Sequence, residues 1–514
     1  MSEHESPETE VIHTRLISNS RWNLVAFAFS MLFNFLLLPF VINRIGLKAF
    51  GTTGLMLSVL APLTLIGTVL GQAMLREISS HLSVVDLRSG QRSFSAAISM
   101  CFAGCLLVGL VFLGLGKIII SLVTDEALTN DYQLCIFAAI VGWSMQQFVL
   151  IFQSAIAATQ KYRLLAVISI ISSLFNAACV VGIVMYIPTA FGYLAGLAMG
   201  FSASAIIWLL LIKRYEPWLF PLCWVSKADY RAIIDFGKWQ SISQFVGGLG
   251  LQMDRYVLGA FSSAVFVGQY NVAMRLQEVV HMGILKAGEV LFPHFSSTSH
   301  HPAAQRASFF ISVSWLMNTF AASALAPLIP LSWHIIALWV NQEAATGGAT
   351  MLSSLTVAGI LGCAVNVYHF HTMGIGDVFR LTQLTFITAI LTVVFTFIFI
   401  LNFGPLAAGI GVIVGNGVRL VFVIFFSKKS FESFISLRTL ILVTMPPLLA
   451  GLLVAYAWDF SGILTPSTWP LIVVDYVLVS ACVAIASIVM TSISAQGRHY
   501  VLASARAARK FLKV

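Results

Sequence analysis

Charge is scarce in this 514-residue chain. Asp, Glu, Lys and Arg make up 10% of it and hydrophobic residues 59%, against about 25% charge in a soluble domain. That balance excludes a soluble globular protein and leaves a polytopic membrane protein. Paired cysteines are also missing. Cys101, Cys105, Cys135, Cys179, Cys223, Cys363 and Cys482 sit mostly in apolar runs. None belongs to a CxxC pair or has a His at metal-ligand spacing, so they read as small packing residues. No P-loop, GxSxG or HExxH motif occurs, and no outer loop is long enough for a folded catalytic domain. The chain therefore reads as a non-enzyme with no cofactor, driven by an ion gradient, the membrane potential or its substrate's own gradient. The polar start lacks a basic n-region and an A-x-A site, which argues against a cleaved signal peptide.

What is present is a series of apolar runs of about 20 residues, each long enough to span a bilayer. Fourteen are expected, near 22–43, 51–74, 94–120, 134–158, 164–187, 191–212, 239–261, 267–292, 307–331, 349–373, 380–402, 405–426, 438–458 and 469–491. The fold class is all-α and polytopic. With the N-terminus inside, 22 of the 29 Lys and Arg fall in cytoplasmic segments, so both termini are assigned to the cytoplasm. The same loop charge explains the net +9.

A shift of 217 residues superposes part of the chain on itself. Arg21-Trp22-Asn23 falls on Lys238-Trp239-Gln240, Gly51 on Gly268, Arg163-Leu164 on Arg380-Leu381, and Gly192 and Gly200 on Gly409 and Gly417. Six spans separate the copies, so the halves share one orientation, a parallel repeat. The expected organisation is a disordered tail (1–21), a first lobe (22–212), a cytoplasmic connector (213–238), a second lobe (239–429), two further spans (430–493) and a basic tail (494–514). Within the connector, Ser226 predicts an N-cap for a short helix, Lys227–Phe236, ending at Gly237. The basic tail predicts a helix lying on anionic lipid.

The eighth span is the exception to the apolar rule. It carries Arg275, Glu278, Lys286 and Glu289. At about 100° per residue these lie on one side, with Asn271 and Met282. A charge in a spanning helix costs about 2.5–3.5 kcal/mol, so the stripe predicts a water-filled cavity. The i,i+3 spacing also fits two self-neutralising pairs, Arg275 with Glu278 and Lys286 with Glu289. In span 7, Gln240, Gln244, Gly247, Leu251, Asp254 and Arg255 share a face. Arg419 follows Asn416 in span 12, a place equally suited to snorkelling, and Asn366 and His369 are one turn apart in span 10. The first lobe is polar without charge. Asn23, Ser30 and Asn34 share one face, Gln146, Gln153 and Gln160 recur every seven residues, and Ser169, Ser172, Ser173 and Asn176 share another. Helix packing through hydrogen bonds and a hydroxyl-rich substrate both fit that pattern.

Several of these residues also resemble a known family. Trp22-Asn23-Leu24, Gly46-Leu47-Lys48-Ala49-Phe50-Gly51, the connector end Phe236-Gly237, Asp254-Arg255-x-x-Leu258-Gly259, Gly268-Gln269-Tyr270-x-Val272-Ala273-x-Arg275-Leu276 and Gly404-Pro405 with Gly409 are similar to the Wzx-type polysaccharide flippases of the multidrug/oligosaccharidyl-lipid/polysaccharide exporter superfamily. The resemblance implies two six-helix lobes working by alternating access. It also implies export of a polyprenyl-diphosphate-linked oligosaccharide, with membrane lipids, a polysaccharide polymerase and chain-length machinery as partners, in the bacterial cytoplasmic membrane. It points to Arg275 as the leading headgroup contact, with Arg255, Lys286 and Arg419 behind it, and Glu278, Asp254, Asn34 and Arg21 as further site residues. The arginine cluster that related lipid II flippases carry in span 1 is reduced here to Arg21, and their groove for the lipid tail would fall to spans 13 and 14. Two alternatives remain: a cation-coupled multidrug antiporter of the same superfamily, which usually carries an acid inside spans 1–6, and a membrane glycan polymerase or ligase. The cavity is expected to be asymmetric, cation-bearing in the second lobe and uncharged in the first.

Overall fold

Inside a bilayer a backbone must satisfy its own hydrogen bonds, which a continuous helix does. The computed structural model describes residues 7–83, 85–121, 131–250, 252–289, 291, 295, 302–375, 377–431, 434–462 and 466–511. Among these residues all regular structure is helical, and twelve helical stretches are long and apolar enough to cross a membrane. In chain order the α-helices are α1 Pro7–Ile45, α2 Leu47–Leu60, α3 Leu65–Ser83, α4 Leu87–Ser121, α5 Asp131–Ala158, α6 Tyr162–Tyr186, α7 Ala190–Tyr215, α8 Lys227–Gly250, α9 Met253–Phe261, α10 Ala264–Gly288, α11 Ala303–Leu325, α12 Ser332–Trp339, α13 Gln342–Cys363, α14 Asn366–Gly374, α15 Val378–Phe403, α16 Ala408–Ser430, α17 Leu437–Ser461, α18 Trp469–Ser492 and α19 Ala495–Phe511. α1 takes in residues 7–21 of the expected tail. Proline sets the breaks: Pro62, Pro217, Pro327 and Pro405 each open a 3₁₀ turn, because proline fixes φ and removes a donor.

The twelve apolar stretches match twelve of the fourteen expected spans. The other two are helical as well but more polar. The span expected at 267–292 is α10, 25 residues long and therefore about 37 Å at 1.5 Å per residue, enough to cross. The span expected at 239–261 is broken: α8 ends at Gly250, Gln252 is in a turn, and α9 starts at Met253. The stretch Leu47–Leu82 also outruns its expected end. Its last turns carry Glu77, 3.8 Å from His81, just past the expected end of the span at residue 74.

The repeat holds at the level of element boundaries. α2 begins at Leu47 and α10 at Ala264, 217 residues on; α6 ends at Tyr186 and α15 at Phe403, again 217 on; α7 begins at Ala190 and α16 at Ala408, within one residue of that offset. The architecture is two six-helix lobes related by a parallel repeat, plus two C-terminal spans, α17 and α18. By packing, the chain divides into two compact units at Gln252 and Met253.

In the first unit, α6 and α7 pack backbone to backbone. A Cβ on Gly196 would lie 2.8 Å from the Cα of Val180, and one on Gly200 would lie 2.8 Å from the Cα of Asn176. Small residues four apart permit that approach in a membrane. In the second unit α15 and α16 use the same device: a Cβ on Gly411 would run into the Thr396 backbone, 2.6 Å from its Cα.

The connector differs from expectation. The helix expected to stop at Gly237 continues to Gly250. Its start is as predicted: Ser226 Oγ accepts from Asp229 N at 3.3 Å, and Asp229 Oδ2 accepts from Ser226 N at 2.8 Å, a capping box. Gly237 serves packing instead, since a Cβ there would lie 3.0 Å from Val69 Cγ1 on α3. On α4, Ser89 donates its backbone N–H to Asp86 at 3.1 Å, and the hydroxyl and amide of Ser89 hold the Asp86 carboxyl below the usual carboxylate range.

Glu216, at the end of α7, is buried. Lys161 Nζ reaches its Oε1 at 2.7 Å, and Trp218 Nε1 donates to its Oε2 at 2.9 Å. Lys161→Met strands that carboxylate. Breaking a buried pair costs about 3–5 kcal/mol, and the half-exposed Lys161 reduces this to roughly 1–2 kcal/mol. A melt of the purified protein should show a fall of several degrees, and an unchanged melt would refute the role.

α19 docks on the second unit. Ser504 Oγ donates to Ser312 O on α11 at 2.9 Å, and Gln496 Nε2 donates to Thr439 Oγ1 on α17 at 3.2 Å. Its docked side runs through the buried Gly497 and Ser504.

Candidate functional site

Two polar places stand inside an otherwise apolar chain, one in each unit. The first is a cavity of about 360 Å³ walled by α1, α5, α6 and α7. Ser30 and Asn34 enter from α1, Gln153 from α5, and Ser169, Ser172, Ser173 and Asn176 from α6. The helical spacing of those four α6 residues does bring them to one face. Ser30 Oγ and Ser173 Oγ are 2.8 Å apart, and Asn34 Nδ2 donates to Ser30 O at 2.8 Å. Phe27, Phe33 and Phe201 complete the wall, and the lining among the described residues holds no charged side chain.

The second place is α10. Its buried side, with Tyr270, Val272, Ala273 and Leu276, packs on α13. Gln269 Nε2 donates there to Glu343 O at 3.0 Å. The opposite side carries the four charges, their side chains 35–49% exposed. The i,i+3 pairs are formed: Arg275 Nη1 lies 3.0 Å from Glu278 Oε2, and Lys286 Nζ 2.6 Å from Glu289 Oε1. Exposed pairs of this kind contribute little energy, but each cation has a partner.

Arg419 on α16 does not. It is half-buried, its Nε has no hydrogen-bond partner, and it forms no ion pair among the described residues. The neighbouring Asn416 donates its Nδ2 to Ala358 O at 3.0 Å. On α14, Asn366 likewise leaves a buried amide nitrogen unpartnered.

The span 7 face does not survive as one stripe. Gln244, on α8, accepts from Thr68 Oγ1 at 2.8 Å, whereas Asp254 and Arg255 lie beyond the break, on α9. Asp254 is buried; it accepts from the Tyr270 hydroxyl and, at 2.8 Å, from Arg255 N. That bonding ties α9 to α10. Arg255 directs Nη2 toward Met274 Sδ at 3.9 Å. The side chain of Arg21 lies outside the described residues.

Three features escaped the sequence. Gln147 is fully buried and accepts Gly67 N at 3.1 Å, so it holds α5 to α3. His281 Nδ1 sits 3.2 Å from Cys363 Sγ. Asp475 on α18 and His334 on α12 each leave a buried polar atom unpartnered. Intramembrane acids and histidines were the available signal for the last pair.

Two repeated halves of spanning helices, one enclosing an uncharged polar cavity and one bearing a helix with a charged face, define a multi-pass membrane protein of the transporter class. The chain belongs to the polysaccharide biosynthesis protein family, whose model matches residues 16–299, and so to the polysaccharide flippases of its superfamily. It is 22% identical over 290 residues to a putative O-antigen transporter of Shigella flexneri, covering 55% of this chain and 67% of that one. It is 24% identical over 170 residues to the teichuronic acid biosynthesis protein TuaB of Bacillus subtilis (strain 168), covering 32% of this chain and a third of TuaB. Among solved structures it is similar to the lipid II flippase MurJ in an inward closed conformation, with a TM-score of 0.72, 12% identity and coverage of 92% of this chain and 98% of that one. It is also similar to an inward-facing multidrug resistance MATE family transporter, with a TM-score of 0.64, 15% identity and coverage of 80% and 98%. At such identities the likeness is one of fold.

Proposed function

We propose that this protein moves a polyprenyl-diphosphate-linked oligosaccharide from the inner to the outer leaflet of a bacterial cytoplasmic membrane, by alternating access, for O-antigen or exopolysaccharide assembly. Both termini face the cytoplasm, and a polymerase with its chain-length machinery takes up the product. The observation that carries this reading is Arg419, a cation in a spanning helix without a carboxylate partner among the described residues. Such a group calls for an anion from outside the chain, and a diphosphate supplies oxygens that match the guanidinium fork. Arg275 and Lys286, held by weak exposed pairs, exchange Glu278 and Glu289 for the same headgroup as it passes.

The test is a strain lacking the gene. Lipid-linked repeat units should accumulate on the inner leaflet and surface glycan should disappear. Units that reach the outer leaflet unpolymerised would instead indicate a polymerase. Arg275→Ala should insert normally and lower surface glycan at least tenfold at matched protein level; full glycan in that variant removes Arg275 from the path.

A further inference from the structure

We propose that the cavity inside the first unit binds the saccharide part of the cargo and accepts neutral sugars in preference to charged ones. The proposal rests on the export reading for its biological meaning and on the cavity itself for its chemistry.

Some of the polar groups here serve helix packing, Ser204 Oγ among them, which donates to Ser172 O at 3.4 Å, and others do not. Ser30 and Ser173 meet each other, and Asn34 bonds back to its own helix. The side-chain amides of Gln153 and Asn176 make no hydrogen bond among the described residues. Ser172 is only 7% exposed, and its hydroxyl has no partner. A buried hydroxyl left unpaired costs about 1–3 kcal/mol. Such groups in a native structure require an explanation, and a bound hydroxyl-rich molecule provides one.

Two free amides and a free hydroxyl offer donors and acceptors together, the mixture that sugar hydroxyls need. Phe27, Phe33 and Phe201 supply flat apolar faces for the C–H side of a ring. About 360 Å³ lies in the lower part of the roughly 300–1,000 Å³ range of ligand pockets. The space suits a short saccharide, and the rest of a longer repeat unit stays outside. With no charged side chain in the described lining, a uronate or phosphate entering it loses hydration without gaining a counter-ion. Neutral rings pay no such penalty.

The test uses purified full-length protein in detergent and two probes, diacetylchitobiose and glucuronic acid, in saturation-transfer NMR. The wild type should transfer at least fivefold more signal to the neutral disaccharide. Ala177→Phe, which fills the cavity, should bring that signal to background and lower surface glycan at least tenfold in the deletion strain. Ser172→Val, which removes the hydroxyl and is one methyl group larger, should halve the signal while the melting temperature holds or rises. The proposal is overturned if glucuronic acid matches the disaccharide, or if both variants, folded by their melts, keep full signal and export. Should Ala177→Phe misfold, Ser172→Val decides the matter alone. A deletion strain that keeps its surface glycan sinks the export reading but leaves the NMR comparison to judge the cavity.

Discussion

Arg419→Gln is expected to lower surface polysaccharide about 10- to 100-fold at equal membrane abundance without destabilising the protein. A charge-assisted hydrogen bond contributes about 1.5–3 kcal/mol, and losing one or two headgroup contacts gives that range. The stability side has the opposite sign. Arg419 has no ion-pair partner among the described residues, and an unpaired charge in a spanning helix costs about 2.5–3.5 kcal/mol on insertion scales, so removing it relieves the fold. Export falling while the melting temperature holds or rises is the signature of a ligand site, because a packing residue would move both down together. Arg419→Lys should recover part of the export: it restores the charge but not the planar fork. Full glycan in the Gln variant, at matched abundance, would remove Arg419 from the headgroup path.

Gly411→Ala is expected to cost folded protein by forcing α15 and α16 apart. The new Cβ meets backbone of Thr396, with Cα at 2.6 Å, and backbone does not rotate away as a side-chain tip does. Overpacking of this kind costs about 1–3 kcal/mol, which should appear as a lower melt and a several-fold loss of monodisperse protein. Gly182→Ala is the control. Nothing lies within 4 Å of a Cβ there, and alanine favours a helix by up to about 1 kcal/mol over glycine. Equal behaviour of the two variants would show that the α15–α16 approach is looser than the structure gives.

The contrast between these residues explains what could be read from sequence. Apolar runs report spans because lipid filters each helix separately, so twelve spans were visible, and the charged stripe of α10 was visible for the same reason. The polar face of α6 followed from helical period alone. The offset of 217 emerged from scattered residue matches and reappears in the helix boundaries. Features decided by a neighbouring helix were hidden. Gly237 carries the same local signal whether it ends a helix or admits Val69, and Gly247, Gly248 and Gly250 allow a bend before Gln252 without saying whether the helix bends, breaks or packs closely there. Gln147 looked no different from Gln146, yet it is the one that holds Gly67. Arg275 and Arg419 are each an arginine in a greasy run; the i,i+3 spacing offers the first a partner in Glu278, and the structure shows that pair formed.

The absence of charge from the first-unit cavity has a consequence for how such proteins diversify. Serine, asparagine and glutamine are tolerated in spanning helices far more cheaply than arginine or glutamate. Exchanging one for another along α6 rearranges donors and acceptors while leaving membrane insertion almost untouched. On the proposed export reading, a lineage can therefore alter which sugars it accepts by single, nearly silent steps in the first half, while the costly cations of the second half stay fixed on the headgroup.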